Sequence, residues 1–306
     1  MLIVVGSYNQ DLVWRTAQFP KAGETRIGLF SQGPGGKGFN QAIAAQRLGS
    51  QPLFIAALGN DALGENAQKL AEAENLRCAW QLFENTATGN AAIWVDASGQ
   101  NRILVDLAAN RQLSPEHIAA HADTFSSAKV VLVQYEANPA ASLQALVLGR
   151  KYGALCLVNP APASTDATDL LAMADIITPN ESEFTSLLQQ TGEAVSTESI
   201  ANLSSGQLHL LARRLPCATV IITLGERGML LSTDSGVEEI TAPEVIVRDT
   251  TGAGDCFNGA LAAELAAGRT LADACGFAVK AASCKVERAG AALTMPTRTD
   301  VAARFG

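Results

Sequence analysis

The chain has 306 residues, 48% of them hydrophobic and only 5% aromatic, and a formal net charge of −8. That length accommodates one large α/β domain with an appendage, or two small domains, with enough apolar material for a sizeable core. An acidic chain without a Lys/Arg run makes nucleic acid and anionic membrane poor partners, and an anionic ligand must be held by local groups against the overall charge.

Strand and helix patterns alternate along the chain. "LIVVGS" (2–7) reads as a first strand rather than a leader peptide, because no basic region precedes it and its apolar run is short. A helix over 37–49 closed by Gly49, a strand over 52–59 and a helix over 61–75 follow. Further strands are expected at 129–136, 154–160, 174–180 and 218–225. Helices are expected at 138–153, around 181–190 and over 199–215. Residues 226–243 read as a β-meander and the β-branched "PEVIVR" (243–248) as a strand. Helices near 253–267 and 270–286 complete the series. Apolar runs bounded by turns and alternating with helices imply a mostly parallel sheet covered on both faces.

Two stretches break the rhythm. Residues 8–35 and 79–107 read as short alternating strands, with "DASGQN" as a hairpin turn. Together they form one small sheet, a lid over the ends of the main strands. The expected division is a core of residues 1–7, 36–78 and 108–306 and a β-sheet lid of 8–35 and 79–107. No apolar run is long and uninterrupted enough for a membrane span. Cys78, Cys156, Cys217, Cys256, Cys275 and Cys284 form no CxxC pair and read as free buried thiols. A cytoplasmic location is the expectation.

Several motifs carry a chemical reading beside a plainer one. In "GPGGKGFNQA" (33–42), Gly33, Gly35 and Gly38 satisfy GxGxxG, with Asp61 about twenty residues on, the pattern of a dinucleotide-binding turn. That fingerprint belongs after the first core strand, where this chain has "SYNQD" instead. Nor is it a Walker A loop, since Gly38 stands where Ser or Thr should follow Lys37. A loop-to-helix turn accounts for the glycines. It accounts less readily for Lys37 and Asn40, polar residues one helical turn apart that are positioned for a ligand rich in hydroxyls. In "TPNESE" (178–183), Asn180 and Glu183 fit a helix capping box, or oxygen ligands for Mg²⁺ near a phosphate. "TLGERG" (223–228) is a tight turn, or a nucleotide wall built from Thr223, Gly225 and Gly228. His117 and His121 in "HIAAH" lack the glutamate of a metalloprotease helix and read as a solvated face. Cys256 reads as a small packing residue.

"DTTGAGD" (249–255) is the most specific stretch. The amides of Gly252, Ala253, Gly254 and Asp255 stand at a helix start, a ready site for an anion. An aspartate there repels the anion unless it has a task, and one such task is general base. Phosphoryl transfer requires this combination of fixed donors and a carboxylate that takes the acceptor's proton.

These motifs resemble those of a known family. "GGKGFNQAIAAQRLG" (35–49) and "DTTGAGDCFNGAL" (249–261) resemble the paired motifs of the ribokinase-like carbohydrate kinases, the phosphofructokinase-B family, and "TPNESE" resembles the family's Asn-x-x-Glu motif. "GSYNQD", "VNPAPA" (158–163) and "TLGERG" fall where such kinases carry similar strings. The resemblance implies a three-layer α/β/α, Rossmann-like core with a β-sheet lid. It implies that Asp255 is the catalytic base and residues 252–255 the anion hole. Asn9, Asp11, Gly36, Lys37, Asn40 and Glu136 match sugar-holding positions, and Asn180 and Glu183 match the magnesium and phosphate region. Thr223, Gly225 and Gly228 match nucleotide contacts. Asp249, Thr251, Arg288, Gly290 and Thr294 match a monovalent-cation loop.

The implied activity is an ATP-dependent sugar kinase using Mg²⁺ and potassium, with D-ribose the leading acceptor and another pentose, a ketohexose or a nucleoside the alternatives. The implied assembly is a homodimer through the lid. Phe39 stands where many ribokinases have alanine; it either shifts the preference away from ribose or packs the lid. Tyr8 and Gln10 flank Asn9 and Asp11, and "LAANRQLS" (107–114) replaces a glycine-containing string. The competing classes are a non-catalytic sugar-binding regulatory protein, against which the intact Asp255 argues, and a nucleotide-dependent oxidoreductase using residues 33–38.

Overall fold

The computed structural model of the chain describes residues 1–164 and 168–306. Among these residues there are thirteen strands: β1 Leu2–Val5, β2 Asn9–Arg15, β3 Leu29–Gly35, β4 Leu53–Gly59, β5 Arg77–Phe83, β6 Asn90–Val95, β7 Asn101–Asp106, β8 Val130–Gln134, β9 Leu155–Asn159, β10 Ile176–Ile177, β11 Thr219–Thr223, β12 Met229–Thr233 and β13 Gly236–Ile240. The helices are α1 Lys37–Arg47, α2 Ala62–Ala73, α3 Pro115–Ala119, α4 Ala122–Phe125, α5 Pro139–Lys151, α6 Thr168–Ala172, α7 Glu181–Gln190, α8 Thr197–Ala201, α9 Ser205–Ala212, α10 Ala253–Ala266, α11 Leu271–Val286 and α12 Arg298–Phe305.

A nine-stranded sheet runs β13-β12-β11-β10-β9-β8-β1-β4-β5. It is parallel from β5 to β11, and β12 and β13 add to it antiparallel. The strand β1 shows why both faces are covered. Ile3 and Val5 point into a core under α3 to α9, while Leu2 and Val4 point into a second core under α1, α2 and α10 to α12. A strand apolar on both faces has no side to give to water, so helices must pack above and below. The three-layer α/β/α architecture follows. No described helix is long and apolar enough to cross a membrane.

The second sheet has the order β3-β2-β6-β7, with β2 and β6 parallel and the outer pairs antiparallel. It draws on both segments that break the main rhythm. Asp96 makes the turn between β6 and β7, its Oδ1 accepting from the Ser98 and Gln100 amides at 2.9 and 3.1 Å.

The expected lid segment 79–107 begins too early. Residues 77–83 form β5, the edge strand of the main sheet, paired in parallel with β4. Alternation alone reads the same in either sheet. Here Trp80 packs edge-on against Phe54 of β4, ring centroids 5.4 Å apart, and ties the strand to the core. "PEVIVR" pairs with no strand among the described residues: Val245 and Val247 wall a cavity instead. The helix expected over 199–215 is two short helices, each opened by its own serine capping box, at Ser196 and Ser204.

Candidate active site

The main strands deliver polar residues at their C-terminal ends, next to β1, where the order reverses between β4 and β8. Such switch points are where open α/β sheets bind ligands. α1 enters there from the lid strand β3, and α10 enters beside it. The two helices touch closely at Gly259, where a Cβ would lie 2.4 Å from the Gln41 carbonyl oxygen and 2.7 Å from Ala44 Cβ. Only hydrogen fits, and that contact brings the first turn of α10 against Asn40 and Gln41.

Asp255 sits in that first turn with 8% of its surface exposed. Asn40 Nδ2 donates to its Oδ2 at 2.9 Å and Gln41 Nε2 donates to its Oδ1 at 3.0 Å. Gln41 also donates to Asn159 Oδ1 and accepts from Gln134 Nε2. Asn159 Nδ2 donates to the Thr178 carbonyl. Thr178 Oγ1 donates to Asn258 Oδ1, and Asn258 Nδ2 returns to the Gly254 carbonyl at 2.8 Å. All these side chains are buried. The carboxylate is thus locked in orientation by a polar network that begins and ends on the helices flanking it.

Gly252 is the N-cap of α10, in the left-handed region at φ 75°, and no side chain caps the helix. A Cβ on Gly254 would meet open space. One departure from the expected anion hole is clear: the Ala253 N–H donates to the Thr250 carbonyl at 3.1 Å, so it is engaged within the turn.

The expected sugar residues converge on the other side of Asp255. Asn9 and Asp11 lie on β2 opposite Gly35 and Gly33 of β3. The Asp11 carboxylate lies against Gly35, where a Cβ would sit 2.5 Å from both of its oxygens. Glu136 Oε2 accepts from Ser7 Oγ at 2.7 Å and from the Lys37 N–H at 2.9 Å, which sets a carboxylate on the N-terminus of α1. Burial, with Glu136 and Asp255 nearby, pushes Asp11 up to about 7. Burial opposes the charge on Lys37, but Asp255, Glu136 and Glu183 outweigh it and hold the ammonium above its ordinary value. Gly36 is the N-cap of α1 at φ 88°. Asn40 Oδ1 is buried without a hydrogen-bond partner.

Asn180, Thr223, Gly225 and Gly228 line one cavity of about 1190 Å³, which reaches Thr250, Ala253 and Gly254 at the start of α10. Phe257, Val245, Val247, Val279 and Val286 give it apolar walls. Asn180 and Glu183 form the capping box of α7: Asn180 Oδ1 accepts from the Glu183 N–H, and Glu183 Oε2 accepts from the Asn180 N–H. Burial raises Glu183 above its ordinary value, with Asp255 adding and Lys37 opposing. The box uses one Glu183 oxygen, and Mg²⁺ in nucleotide sites is held chiefly by phosphates and water with one or two carboxylates. The donor set fits such an ion.

Asp249 joins the two segments of the expected cation loop. Its Oδ1 accepts from the Thr251 N–H at 2.9 Å and its Oδ2 from the Gly290 N–H at 2.8 Å. The Arg288 guanidinium turns away to Asp300, at 3.1 Å, and Thr294 Oγ1 donates to the Ala291 carbonyl.

Other sequence features have local roles. Asp61 caps α2 and holds the Thr88 amide and hydroxyl, so it is not the acid of a dinucleotide fingerprint. Phe39 is fully buried against Tyr8 and Phe54 and belongs to the core rather than the pocket. Cys256 is fully buried, and burial pushes its thiol up. The six cysteines are free, five of them buried. The His117 ring faces the Ala79 carbonyl at 3.3 Å.

Sequence reading missed Gln41, Gln134, Asn159, Thr178 and Asn258. The available signal was an amide as the last residue of an otherwise apolar strand, Gln134 in "VVLVQ" and Asn159 in "LCLVN". It also missed Asn110, which bridges both backbone groups of Tyr8 and donates to Asn9 Oδ1 at 3.0 Å.

The model of the pfkB family carbohydrate kinases matches residues 1–298. A ribokinase of Schizosaccharomyces pombe is 34% identical over 314 residues, covering 99% of this chain and 97% of the relative. A ribokinase of Mus musculus is 39% identical over 270 residues, covering 87% and 81%. The solved structure of Arabidopsis thaliana ribokinase complexed with ribose and ATP superposes with a TM-score of 0.84 at 29% identity, covering 99% of this chain and 97% of that one.

Proposed function

The chain belongs to the pfkB family of carbohydrate kinases, and on that premise we propose that it transfers the γ-phosphoryl group of ATP to the primary hydroxyl of D-ribose, with Asp255 as general base. It is a phosphotransferase with an alcohol acceptor. The observation that carries the detailed reading is the position of Asp255. It lies between a cavity walled by Asn180, Thr223, Gly225 and Gly228 and a polar cluster of Asn9, Asp11, Lys37, Asn40 and Glu136.

The acceptor sugar sits in the polar cluster, where its hydroxyls meet the carboxylates and the open acceptor Asn40 Oδ1. ATP takes the large cavity, its base against the valines and Phe257 and its phosphates toward Gly254. The free amides of the first turn of α10 and the Lys37 ammonium meet charge that develops on the transferring group. Asp255 takes the proton from the attacking hydroxyl as the new P–O bond forms and ADP leaves. Asn180 and Glu183 are the residues that would hold Mg²⁺ with the nucleotide, and the ion would supply neutralisation of phosphate charge there. The small sheet closes over the sugar and excludes water.

The face of that sheet opposite Asp11 exposes Trp14, Phe30, Trp94 and Leu104. This apolar face supports a homodimer formed through the lid. Six free thiols support a reducing, cytoplasmic location.

A coupled ADP-release assay with Mg²⁺-ATP tests the assignment across ribose, other pentoses, ketohexoses, aldohexoses and nucleosides. The expected result is a kcat/KM highest for ribose. A different winner overturns ribose and keeps the kinase. No turnover, with sugar-dependent thermal stabilisation, replaces the enzyme with a sugar-binding protein.

A further inference from the structure

Lys285, on the last turn of α11, is fully buried. Its Nζ donates to the Arg288 carbonyl oxygen at 3.2 Å and forms no ion pair with a described carboxylate. An ammonium taken out of water without close pairing is costly and needs a compensating role.

Its surroundings suggest the role. Asp249 receives the Thr251 and Gly290 amides, and the Arg248 and Asp249 amides both donate to the Val286 carbonyl at 2.8 and 3.1 Å. Two loops are thus closed upon each other beside the start of α10. The family resemblance implies a monovalent cation there, but the Arg288 carbonyl already receives an ammonium. An ammonium and a potassium ion carry the same charge and both accept carbonyl oxygens as neighbours. A tethered ammonium needs no capture from solution.

We propose that the ε-ammonium of Lys285 serves as a built-in monovalent cation, holding segments 249–251 and 288–294 in place of bound potassium, so that phosphoryl transfer is independent of potassium. The activity part of this inference rests on the kinase reading; the binding part does not.

The test dialyses the whole protein into tetramethylammonium buffer and titrates potassium. Wild-type kcat and KM are expected to stay within about twofold, against the roughly five- to 150-fold effect of a coupled effector site. Lys285→Ala removes the charge and leaves space, and is expected to lose activity in tetramethylammonium and regain it with potassium. Lys285→Met fills the space without charge and is expected to lose activity without rescue. Melting curves without sugar or ATP give the second readout: potassium raises the Tm of Lys285→Ala and leaves wild type unmoved. Potassium stimulation of wild type, or a potassium-dependent wild-type Tm, overturns the inference. So does a Lys285→Ala variant that is fully active in tetramethylammonium. If wild type phosphorylates no acceptor, the kinase reading fails, while the melting comparison still decides the cation assignment.

Discussion

Gln41 and Asp255 stand on different helices, 214 residues apart in the chain, and the Gln41 amide reaches the Asp255 carboxylate at 3.0 Å. The same amide group holds Asn159 and accepts from Gln134, so strands β8 and β9 are wired to the proposed base through one side chain. Gln41→Ala leaves buried groups on three residues without their partner. Each such group costs about 1–3 kcal/mol, so the variant is expected to lose at least that much stability in a urea titration. Its kcat should fall because Asp255 is no longer held, while KM for ATP changes little. Unchanged stability and kcat together would show that the network does not position the base.

Asp255→Asn keeps the shape of the site and removes the proton acceptor. General bases contribute typically about 10²–10⁴-fold, so kcat is expected to fall by that range while sugar and ATP still bind. Turnover near the wild-type rate, with binding measured calorimetrically, would remove Asp255 from the reaction.

Asp11 gives a pH dependence with a definite sign. Its ordinary value is 3.8, and in the folded chain it rises to about 7. Between those values the folded state holds a proton that the unfolded chain has released. Stability from this residue therefore falls as pH rises from about 4 to about 7, and is not recovered above. Asp11→Asn is expected to flatten that slope and to raise Tm relative to wild type at pH 8. Parallel Tm–pH curves for the two proteins would show that Asp11 titrates normally. The same variant is expected to raise KM for the sugar with less effect on kcat.

Phe39 separates a packing role from a specificity role. It is fully buried, its ring 5.1 Å from that of Tyr8 and 5.9 Å from that of Phe54. Phe39→Ala is expected to cost about 3–5 kcal/mol and to leave the rank order of acceptor sugars unchanged. A changed rank order at modest loss of stability would return Phe39 to the pocket.

The sequence by itself determined the layered core, because strands such as "LIVV" and "VVLVQ" are apolar on both faces and admit no solvent-facing side. It also singled out the neighbourhood proposed for catalysis, a small-residue turn carrying an aspartate at a helix start. Tertiary structure decided the rest. The sheet that 77–83 joins depends on a partner strand, β4, that local alternation does not name. "PEVIVR" has strand propensity and pairs with none of the described strands. The network around Asp255 joins residues 40–41, 134, 159, 178 and 258, which become neighbours only when α1 and α10 meet at Gly259. Lys285 looks like an ordinary helix-surface lysine in the sequence. Its burial is a property of the packed end of α11, where the Val286 carbonyl receives the Arg248 and Asp249 amides. Period and local chemistry are written along the chain, whereas the pairing of distant polar groups is fixed by packing.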